Sequence, residues 1–147
     1  VAAAHAGWKG LLNGVLRNAA LGLALASKEP VQRMSVWLGP AIGPQSFEVG
    51  EEVREAFCAR FTQIAQNAFK PSGRQGKWLA DIYELARLDL QQIGVEQIES
   101  PMPPEDTFTD LNWFSHRRAA QLRRQAGRMA TLVRLLPQLP QLSELQR

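Results

Sequence analysis

Apolar residues recur every three or four positions along several parts of the chain, a spacing that predicts helices with one buried face. The first run follows the glycines at positions 7 and 10 and extends from Leu11 to Leu23, before a break at Ser27–Pro30. The second begins after Gly50 and carries Glu51 and Glu52 in its first turn, where the helix dipole favours acidic side chains. Its predicted apolar face consists of four residues, Val53, Phe57, Phe61 and Ile64.

Two further helices are predicted in the second half of the chain. An apolar spacing over Lys77–Ile93 stops at Gly94, a residue type that often follows a helix. Ser115 is the expected start of a basic helix that ends at Gly127, because a serine side chain accepts hydrogen bonds from the first amides of a helix. The segment Asn67–Gly76 has the proline, serine and glycine content of an exposed loop.

Five short apolar runs are predicted to form strands. They are Val1–Ala4, Met34–Leu38, Phe47–Val49, Val95–Ile98 and Met129–Leu136. The first two flank the first helix, so we expect a β-α-β unit with parallel strands and a right-handed crossover. Helices that alternate with strands indicate an α/β fold, a mixed sheet with helices packed on it in a single domain.

Prolines and glycines mark the connections between these elements. Gly39–Pro44 contains two Gly-Pro steps, which make a stiff and sharply bent loop. Pro101–Pro104 enforces an irregular connection, and Phe108–Phe114 is expected to be extended. Because the sequence opens inside a predicted strand at Val1, we expect it to lack the N-terminal portion of its domain. Residues 137–147 are expected to be a flexible tail.

Composition narrows the function classes. The 147 residues are 45% hydrophobic and 21% charged, as in an ordinary globular domain. The net charge of +3 is a mild excess that favours anionic ligands without implying nucleic acid. Cys58 is the one cysteine and is expected to be a packed thiol. A single cysteine excludes an internal disulfide and is typical of a protein from a reducing cytoplasm. Polar residues interrupt the most apolar stretch, Leu11–Ala26, so no membrane span is expected.

His5 is the first candidate for chemistry, because it stands between a predicted strand and a glycine turn. Ligands bind at the carboxyl ends of strands in open α/β sheets, and imidazole is both a common metal ligand and a general base. A histidine among alanines can equally be a satisfied core residue. A catalytic zinc usually takes three protein ligands, and the nitrogen and sulfur donors here are His5, His116 and Cys58. The chain alone is therefore not expected to complete a zinc site.

Trp113–Arg118 is the second candidate, since two aromatic residues precede a hydroxyl and a cationic pair at a predicted helix start. Guanidinium groups and helix N-terminal amides both attract phosphate, and an aromatic plane can stack a purine base. The alternative is a capped helix whose arginines, Arg117, Arg118, Arg123 and Arg124, only face water. The same two interpretations are open for His116. Asp81 is either a buried carboxylate that orients a ligand or an exposed helix residue. No HExxH, GxSxG, P-loop or Rossmann fingerprint is present.

Four landmarks follow one another along the chain. They are AAHAGWKG at Ala3–Gly10, LGPAIGP with FEVGEEV within Leu38–Val53, ADIYELAR at Ala80–Arg87, and WFSHRR with GRMA within Trp113–Ala130. With these, the chain resembles the laccase-domain purine nucleoside phosphorylase family, formerly called the multicopper polyphenol oxidase family. The resemblance covers residues 1–136, as the C-terminal part of one such domain.

The resemblance implies a bacterial cytoplasmic enzyme that cleaves adenosine, inosine, guanosine and methylthioadenosine with phosphate and also deaminates adenosine. It implies a three-ligand zinc site to which this chain contributes His5, the other ligands, including a nucleophilic cysteine, being expected upstream of Val1. Copper is less favoured, because copper centres need several His and Cys ligands. Neither nucleic acid nor a membrane is an expected partner, and the protein is expected to be a monomer or homodimer.

On this resemblance we expect phosphate to be held by Arg117 and more weakly by Arg118, and the base pocket to be lined by Trp8 or Phe114. Several positions depart from the family pattern, which affects the transfer of substrate preference. Gln45 and Ser46 stand where many relatives have cysteine, Lys9 replaces arginine, His116 replaces tyrosine, and Asp106-Thr107 replaces Cys-Thr. Two other functions stay open: an amidase-like cysteine hydrolase acting on peptidoglycan precursors, and an inactive remnant or binding module that lacks two metal ligands.

Overall fold

The computed structural model describes residues 1–135 as five α-helices and five short strands, with loops and two 3-10 segments between them. The helices are α1 (Trp8–Leu12), α2 (Val15–Ser27), α3 (Glu51–Phe61), α4 (Ile82–Gln91) and α5 (His116–Gln121). The strands are β1 (Ser35–Trp37), β2 (Glu48–Gly50), β3 (Phe69–Pro71), β4 (Lys77–Ala80) and β5 (Gln97–Glu99). The α/β prediction is confirmed. Leu136 and the predicted tail, residues 137–147, lie outside the described residues.

The strands form two small sheets. β1 and β5 pair in parallel, with Ser35 opposite Gln97 and Trp37 opposite Glu99. β4 is the middle strand of an antiparallel sheet, between β2 and β3. Within residues 1–135, no helix has both the length and the apolar character that a membrane span requires.

Residues 1–4 do not form the predicted buried strand, so the β-α-β unit built on that strand is wrong. They lie outside regular secondary structure and are exposed, with Val1 58% accessible. A strand needs a neighbouring strand for its backbone hydrogen bonds, and within the described part of the chain none pairs with this segment. The predicted strand at Met129–Leu136 is wrong for the same reason over residues 129–135, which are exposed and unpaired with any described strand.

The predicted first helix is divided into α1 and α2 by a turn at Asn13–Gly14. Gly14 has a φ of +80°, in the left-handed region that glycine adopts without strain. The Arg60 guanidinium lies beside this turn and donates to the backbone carbonyls of Leu11 and Leu12 at the end of α1. The turn therefore lets an arginine of α3 satisfy carbonyls that the end of a helix leaves without partners. The break after α2 is confirmed, at Lys28.

α3 confirms the second predicted helix, with Val53, Phe57 and Phe61 buried. The buried face does not continue to Ile64, whose side chain is 59% exposed. Thr62 has a φ of 61°, so the backbone leaves the α-helical path after Phe61 and continues as a 3-10 segment over Thr62–Ala68. This change of pitch turns Ile64 away from the core.

The predicted helix over Lys77–Ile93 and the predicted loop over Asn67–Gly76 are each wrong in part. β4 occupies the first part of the former, and β3 lies within the latter. Long-range pairing decides between helix and strand here, because β4 has a hydrogen-bonded neighbour on each side. α4 begins directly after Asp81, whose carboxylate accepts a hydrogen bond from the backbone N–H of Glu84 at 3.0 Å.

Two predictions of extended chain after α4 have different outcomes. Val95–Ile98 is confirmed in part as β5. Phe108–Phe114 forms turns instead, because Asp106 and Asp110 accept hydrogen bonds from backbone amides two to four residues farther along the chain.

Ser115 caps α5 as predicted, by accepting a hydrogen bond from the backbone N–H of Arg118 at 3.3 Å. The helix ends earlier than predicted, at Gln121 and not at Gly127. Arg123 has a φ of 49°, in the left-handed region, which is incompatible with a continuing right-handed helix.

Two apolar clusters form the core, and α4 contributes to both. The first joins α1, α3 and α4 to the antiparallel sheet, with Leu11, Phe57, Phe61 and Leu85 almost completely buried. The second joins α2 and α4 to the parallel strands through Ala20, Val31, Leu90 and Val95. Cys58 is partly buried against the first cluster, as expected of a packed thiol.

A buried ion cluster connects α4 with α2 and α3. The Asp89 side chain is completely buried, with Oδ1 2.5 Å from Arg60 Nη2 and 3.8 Å from Arg17 Nε. Arg17 also donates to the side-chain oxygen of Gln92 at 2.9 Å. Because a buried carboxylate is tolerated only when it is paired, these arginines are part of what holds α4 in place.

Candidate functional site

His5 lies on the exposed segment that precedes α1. Its neighbours anchor this segment, since Ala6 and Trp8 pack against the first core cluster. The alternative of a buried core histidine does not hold, because the residue is exposed. The His5 imidazole is accessible, and the residues that follow it are packed against the core. It is therefore available as a ligand or a base.

The described residues offer a metal one donor here and not a complete site. In residues 1–135, no three His, Cys, Asp or Glu side chains lie close enough together to hold a metal ion. His116 is exposed on α5, and Cys58 lies against the core. A catalytic zinc takes three protein ligands, so these side chains do not make a zinc site on their own.

The loop Gly39–Ser46 is joined to the segment 105–113, and we call the two stretches the paired loops. The Asp106 carboxylate accepts hydrogen bonds from the Gly43 N–H at 2.9 Å, the Ser46 hydroxyl at 2.5 Å and the Phe108 N–H at 2.9 Å. A Cβ at Gly43 would lie 2.6 Å from the Cβ of Asp106, so this approach requires glycine.

Tyr83, which is buried, ties the paired loops to α4. Its hydroxyl accepts a hydrogen bond from the Ala41 N–H at 2.8 Å and donates one to the Glu105 carbonyl at 3.1 Å. Burial raises the pKa of the Tyr83 hydroxyl, so it remains a donor at neutral pH. Neither Tyr83 nor Asp106 is predicted from the sequence to organise a loop, because Gly-Pro steps signal stiffness and not the side chains that hold it.

The Asp106 carboxylate makes the paired loops sensitive to acid. Burial by itself would raise its pKa, but hydrogen bonds from Ser46, Gly43 and Phe108 hold the pKa below the ordinary value of 3.8. A carboxyl with a lowered folded-state pKa stabilises the fold above pH 3.8, and this contribution is lost as the pH falls through the folded value. We expect Asp106→Asn to lower the free energy of unfolding by about 1–2 kcal/mol at neutral pH. Urea unfolding should show this difference shrink below pH 3.8.

Asp110→Asn is the matched control for this prediction. Asp110 Oδ1 accepts one side-chain hydrogen bond, from the Asn112 N–H at 2.9 Å in an exposed turn. Its replacement should change the free energy of unfolding by less than about 0.5 kcal/mol. An Asp106→Asn deficit that is the same at low and neutral pH would contradict the role of the ionised carboxylate.

Arg118 turns back towards the paired loops and donates to four backbone carbonyls. Nη1 contacts the carbonyls of Thr107, Phe108 and Asp110 at 3.0, 2.8 and 3.1 Å, and Nη2 contacts that of Trp113. Both terminal nitrogens are thus engaged in shaping the segment 107–113. The water-facing alternative is wrong for this arginine.

Arg117 contacts the antiparallel sheet. Its Nη1 donates to the Glu48 carbonyl at 3.0 Å, and its guanidinium carbon lies 5.7 Å from the centroid of the Phe47 ring. The water-facing alternative is therefore wrong for Arg117 as well, whereas it describes the exposed Arg123 and Arg124.

Arg118→Met should loosen the segment 107–113 because it deprives four carbonyls of their donor. A hydrogen bond from a charged group contributes about 1.5–3 kcal/mol, and water replaces part of what is lost. We expect the free energy of unfolding to fall by about 2–4 kcal/mol and backbone amide exchange to accelerate over residues 107–113. Arg123→Met, on the exposed side of the same region, should change stability by less than about 0.5 kcal/mol. Equal effects of the two substitutions would contradict the structural role of Arg118.

Comparison with known proteins places the chain in a family. A family model described as multi-copper polyphenol oxidoreductase laccase matches residues 1–136. The chain belongs to this laccase family. A purine nucleoside phosphorylase of Pseudomonas aeruginosa is 46% identical over 134 residues, which cover 90% of this chain and 51% of that protein. The purine nucleoside phosphorylase YfiH of Escherichia coli is 46% identical over 137 residues, which cover 92% of this chain and 51% of that protein.

Solved structures share the fold of this laccase-family chain. The Neisseria meningitidis protein NMB0706 has a TM-score of 0.68 at 42% identity, over 78% of this chain and 45% of that one. The hypothetical protein YfiH of Bacillus licheniformis has a TM-score of 0.71 at 27% identity, over 80% of this chain and 44% of that one. The chain spans about half the length of the curated relatives it matches.

The aromatic candidates of this laccase-family chain lie in different surroundings. Trp8 is half-buried against the first core cluster, with Lys9 Nζ 5.5 Å from the centroid of its ring. Phe114 is 58% exposed, and its ring lies over the backbone of Gly127. Within residues 1–135, no hydrogen bond or ion pair joins His5 or Trp8 to the two arginines of α5. The described hydrogen bonds and ion pairs therefore do not connect the two predicted groups of site residues.

Asp81 is half-buried and stands at the start of α4, so the interpretation as an exposed helix residue is wrong. It caps α4, and it also lines a polar cleft of about 110 Å³ beside the loop Gly39–Ser46, together with Gln45 and Lys70. A larger cavity of about 290 Å³ lies at Phe61 and Leu88. Apart from Asp81, none of the residues predicted to bind the metal, the phosphate or the base lines either of these two cavities.

Proposed function

We propose that this chain is part of a purine nucleoside phosphorylase. The identity of 46% to two relatives of that name, over at least 90% of this chain, carries the proposal. In the proposed reaction a phosphate oxygen forms a bond to C1′ of the ribose while the bond from C1′ to the purine nitrogen breaks. The electron pair of that bond leaves with the purine, which takes up a proton. The products are the free base and ribose 1-phosphate.

Arg117 is the proposed phosphate ligand, and Arg118 has a weaker part. Both terminal nitrogens of Arg118 already donate to backbone carbonyls, whereas the described hydrogen bond of Arg117 uses Nη1 alone. A guanidinium carries five N–H donors. The remaining N–H groups of Arg117 and its positive charge can therefore bind an anion. Arg118 acts by holding the segment that leads into α5.

Phe114 or Trp8 is the proposed wall of the base pocket. Phe114 is exposed and precedes Arg117 by three positions, so an aromatic plane and a cation stand at one helix start. Trp8 follows His5 by three positions and presents a partly accessible ring. Either ring can stack a purine through its π face.

His5 is the zinc ligand that we propose for this chain, with the other ligands and a nucleophilic cysteine coming from outside these 147 residues. Support comes from its exposure and from the frequency of neutral imidazole among metal ligands. Bound zinc supplies a Lewis acid that stabilises developing negative charge. Copper is less favoured, since copper centres need several His and Cys donors.

Adenosine, inosine, guanosine and methylthioadenosine are the proposed nucleosides, and deamination of adenosine is a proposed second reaction. The two reactions leave different products from adenosine. Phosphorolysis yields adenine and ribose 1-phosphate, whereas deamination adds water and yields inosine and ammonia.

The complete native protein, supplied with adenosine and phosphate, tests the proposal. We expect adenine to appear by liquid chromatography and ribose 1-phosphate by phosphorus NMR, and neither when phosphate is omitted. Turnover of muropeptide precursors without turnover of nucleosides would overturn the proposal in favour of an amidase-like hydrolase. Turnover of neither substrate class would favour an inactive binding module.

A further inference from the structure

The start of β2 holds Arg117, the proposed phosphate ligand. Arg117 Nη1 donates to the Glu48 carbonyl at 3.0 Å, and the guanidinium carbon lies 5.7 Å from the centroid of the buried Phe47 ring. Arginine recognises phosphate through a planar fork of N–H donors, so the direction of the fork matters. The placement of Phe47 and Glu48 therefore determines where Arg117 presents its remaining donors.

Asp106 fixes the residues directly before β2. Its carboxylate accepts hydrogen bonds from the Ser46 hydroxyl at 2.5 Å and from the Gly43 N–H at 2.9 Å. The Gly43 carbonyl in turn accepts hydrogen bonds from the backbone N–H groups of Ser46 and Phe47, both at 3.0 Å. Through these bonds Asp106 sets the path of the chain into β2.

The same carboxylate fixes the segment that Arg118 contacts. Asp106 accepts a hydrogen bond from the Phe108 N–H at 2.9 Å, and the Phe108 carbonyl accepts one from Arg118 Nη1 at 2.8 Å. Because Arg117 and Arg118 are consecutive, the contacts form a closed ring. It runs from Asp106 through β2 to Arg117, and back through Arg118 to Asp106. A group supported from two directions keeps its orientation better than one held by a single contact.

We propose that Asp106 is a positioning residue for phosphate, an assignment that rests on the proposed function. It holds Arg117 in the orientation that binds the anion and does not contact the anion itself. A carboxylate that faced the phosphate would weaken its binding, since like charges repel. The described hydrogen bonds of the Asp106 carboxylate go instead to donors of the paired loops. The two roles therefore predict opposite effects of removing this carboxylate.

Asp106→Ala in the complete native protein should raise the KM for phosphate at least about tenfold, because Arg117 loses the alignment of its donors. The kcat and the KM for the nucleoside should change by less than about twofold, since the lost interaction concerns phosphate binding. Asp106→Asn keeps an acceptor oxygen for the Gly43 and Phe108 amides and should recover part of the loss. If Asp106→Ala does not fold, Asp106→Asn and Ser46→Ala make the comparison and should raise the KM for phosphate in the same direction.

Asp110→Ala is the matched control, because it removes the same charge from the same segment. The Asp110 carboxylate accepts a hydrogen bond from the Asn112 N–H at 2.9 Å in an exposed turn. The backbone carbonyl of Asp110, which accepts from Arg118, is unchanged by the substitution. The KM for phosphate should rise by less than about twofold. Equal increases in the Asp106 and Asp110 variants would overturn the proposal.

A double variant tests whether Asp106 acts through Arg117. In an Arg117→Met background, Asp106→Ala should change kcat/KM for phosphate by less than about twofold, because the group that it positions is absent. An effect of the same size with and without Arg117 would overturn the proposal. So would a lower KM for phosphate in Asp106→Ala, the result expected of simple charge repulsion.

Nitrogen NMR of the Arg117 guanidinium separates the positioning from the proposed reaction. Asp106→Ala should speed rotation of the guanidinium about its Nε–Cζ bond, whereas Asp110→Ala should not. If the native protein cleaves no nucleoside but this difference appears, phosphorolysis is wrong and Asp106 still positions Arg117. Unchanged rotation in Asp106→Ala would refute the positioning even in an active phosphorylase.

Discussion

His5→Ala should remove the proposed zinc from the complete protein, whereas His116→Ala should leave the zinc content unchanged. These are the two histidines of the chain, and both are exposed. Comparing the two variants therefore distinguishes a metal ligand from a histidine that is merely accessible. Loss of a residue that only orients a ligand lowers metal affinity about 10–100-fold, so loss of a ligand should exceed about 100-fold. Elemental analysis after dialysis against a weak chelator measures the effect.

Circular dichroism of both variants controls for the fold, which an exposed side chain should not affect. Retention of zinc by a folded His5→Ala variant would contradict the assignment of His5. Such a result would leave the phosphorolysis proposal standing, because that proposal is tested by products and not by metal content. Loss of zinc in His116→Ala would place a ligand on α5.

Arg60→Leu should destabilise the chain by about 3–5 kcal/mol, the usual effect of leaving a buried charge without its partner. The Asp89 carboxylate is completely inaccessible, and Arg60 provides its close contact at 2.5 Å. The other cation, Arg17, is 3.8 Å away. The substitution also removes the donor to the carbonyls of Leu11 and Leu12, so the end of α1 loses its cap.

Urea unfolding of Arg60→Leu and of Arg33→Leu makes this comparison. Arg33 pairs with Glu29 at 2.6 Å, but both side chains are largely exposed, so its loss should amount to less than about 1 kcal/mol. The double variant Arg60→Leu/Asp89→Leu should recover part of the stability, because it removes the uncompensated charge. A double variant no more stable than Arg60→Leu would show that the caps on α1, and not the buried carboxylate, determine the effect.

The parts of the fold that the sequence predicts well are those whose stabilising contacts are local. α3 has its apolar residues three or four positions apart and its acids in the first turn, so both signals lie within one short stretch. The start of α5 is equally local, because Ser115 caps an amide three residues away. The Gly-Pro loop is also recognisable, since proline and glycine act through their own backbone.

The predictions that fail depend on neighbours distant in the sequence. The helical spacing of apolar residues in α4 extends back through Lys77–Ala80. Hydrogen bonds to a strand on either side nevertheless make this segment the middle strand of a sheet. Val1–Ala4 has the composition of a strand, and within residues 1–135 no strand lies beside it. Pattern alone does not reveal whether such a neighbour exists.

The candidate site divides in the same way. His5 and the α5 arginines are conspicuous because few residue types can bind a metal or a phosphate, and local motifs present them. The roles of Asp106 and Arg118 depend on folding: the Gly43–Asp106 contact spans 63 positions, and Arg118 binds carbonyls that exist as a cluster only in the folded turn. Which backbone carbonyls an arginine of α5 contacts therefore cannot be predicted from sequence patterns.

From the sequence alone come the family, the α/β class, the amphipathic α3, the capped α5 and the two candidate groups of site residues, because each depends on residue type and near spacing. The tertiary structure decided the division of the first helix at Gly14 and the strand β4. It also decided the hydrogen bond from Gly43 to Asp106 and the burial of Asp89 beside Arg60. These features depend on which distant groups meet, and hydrogen bonds and charges gain their energetic weight only where folding brings such groups together and excludes water.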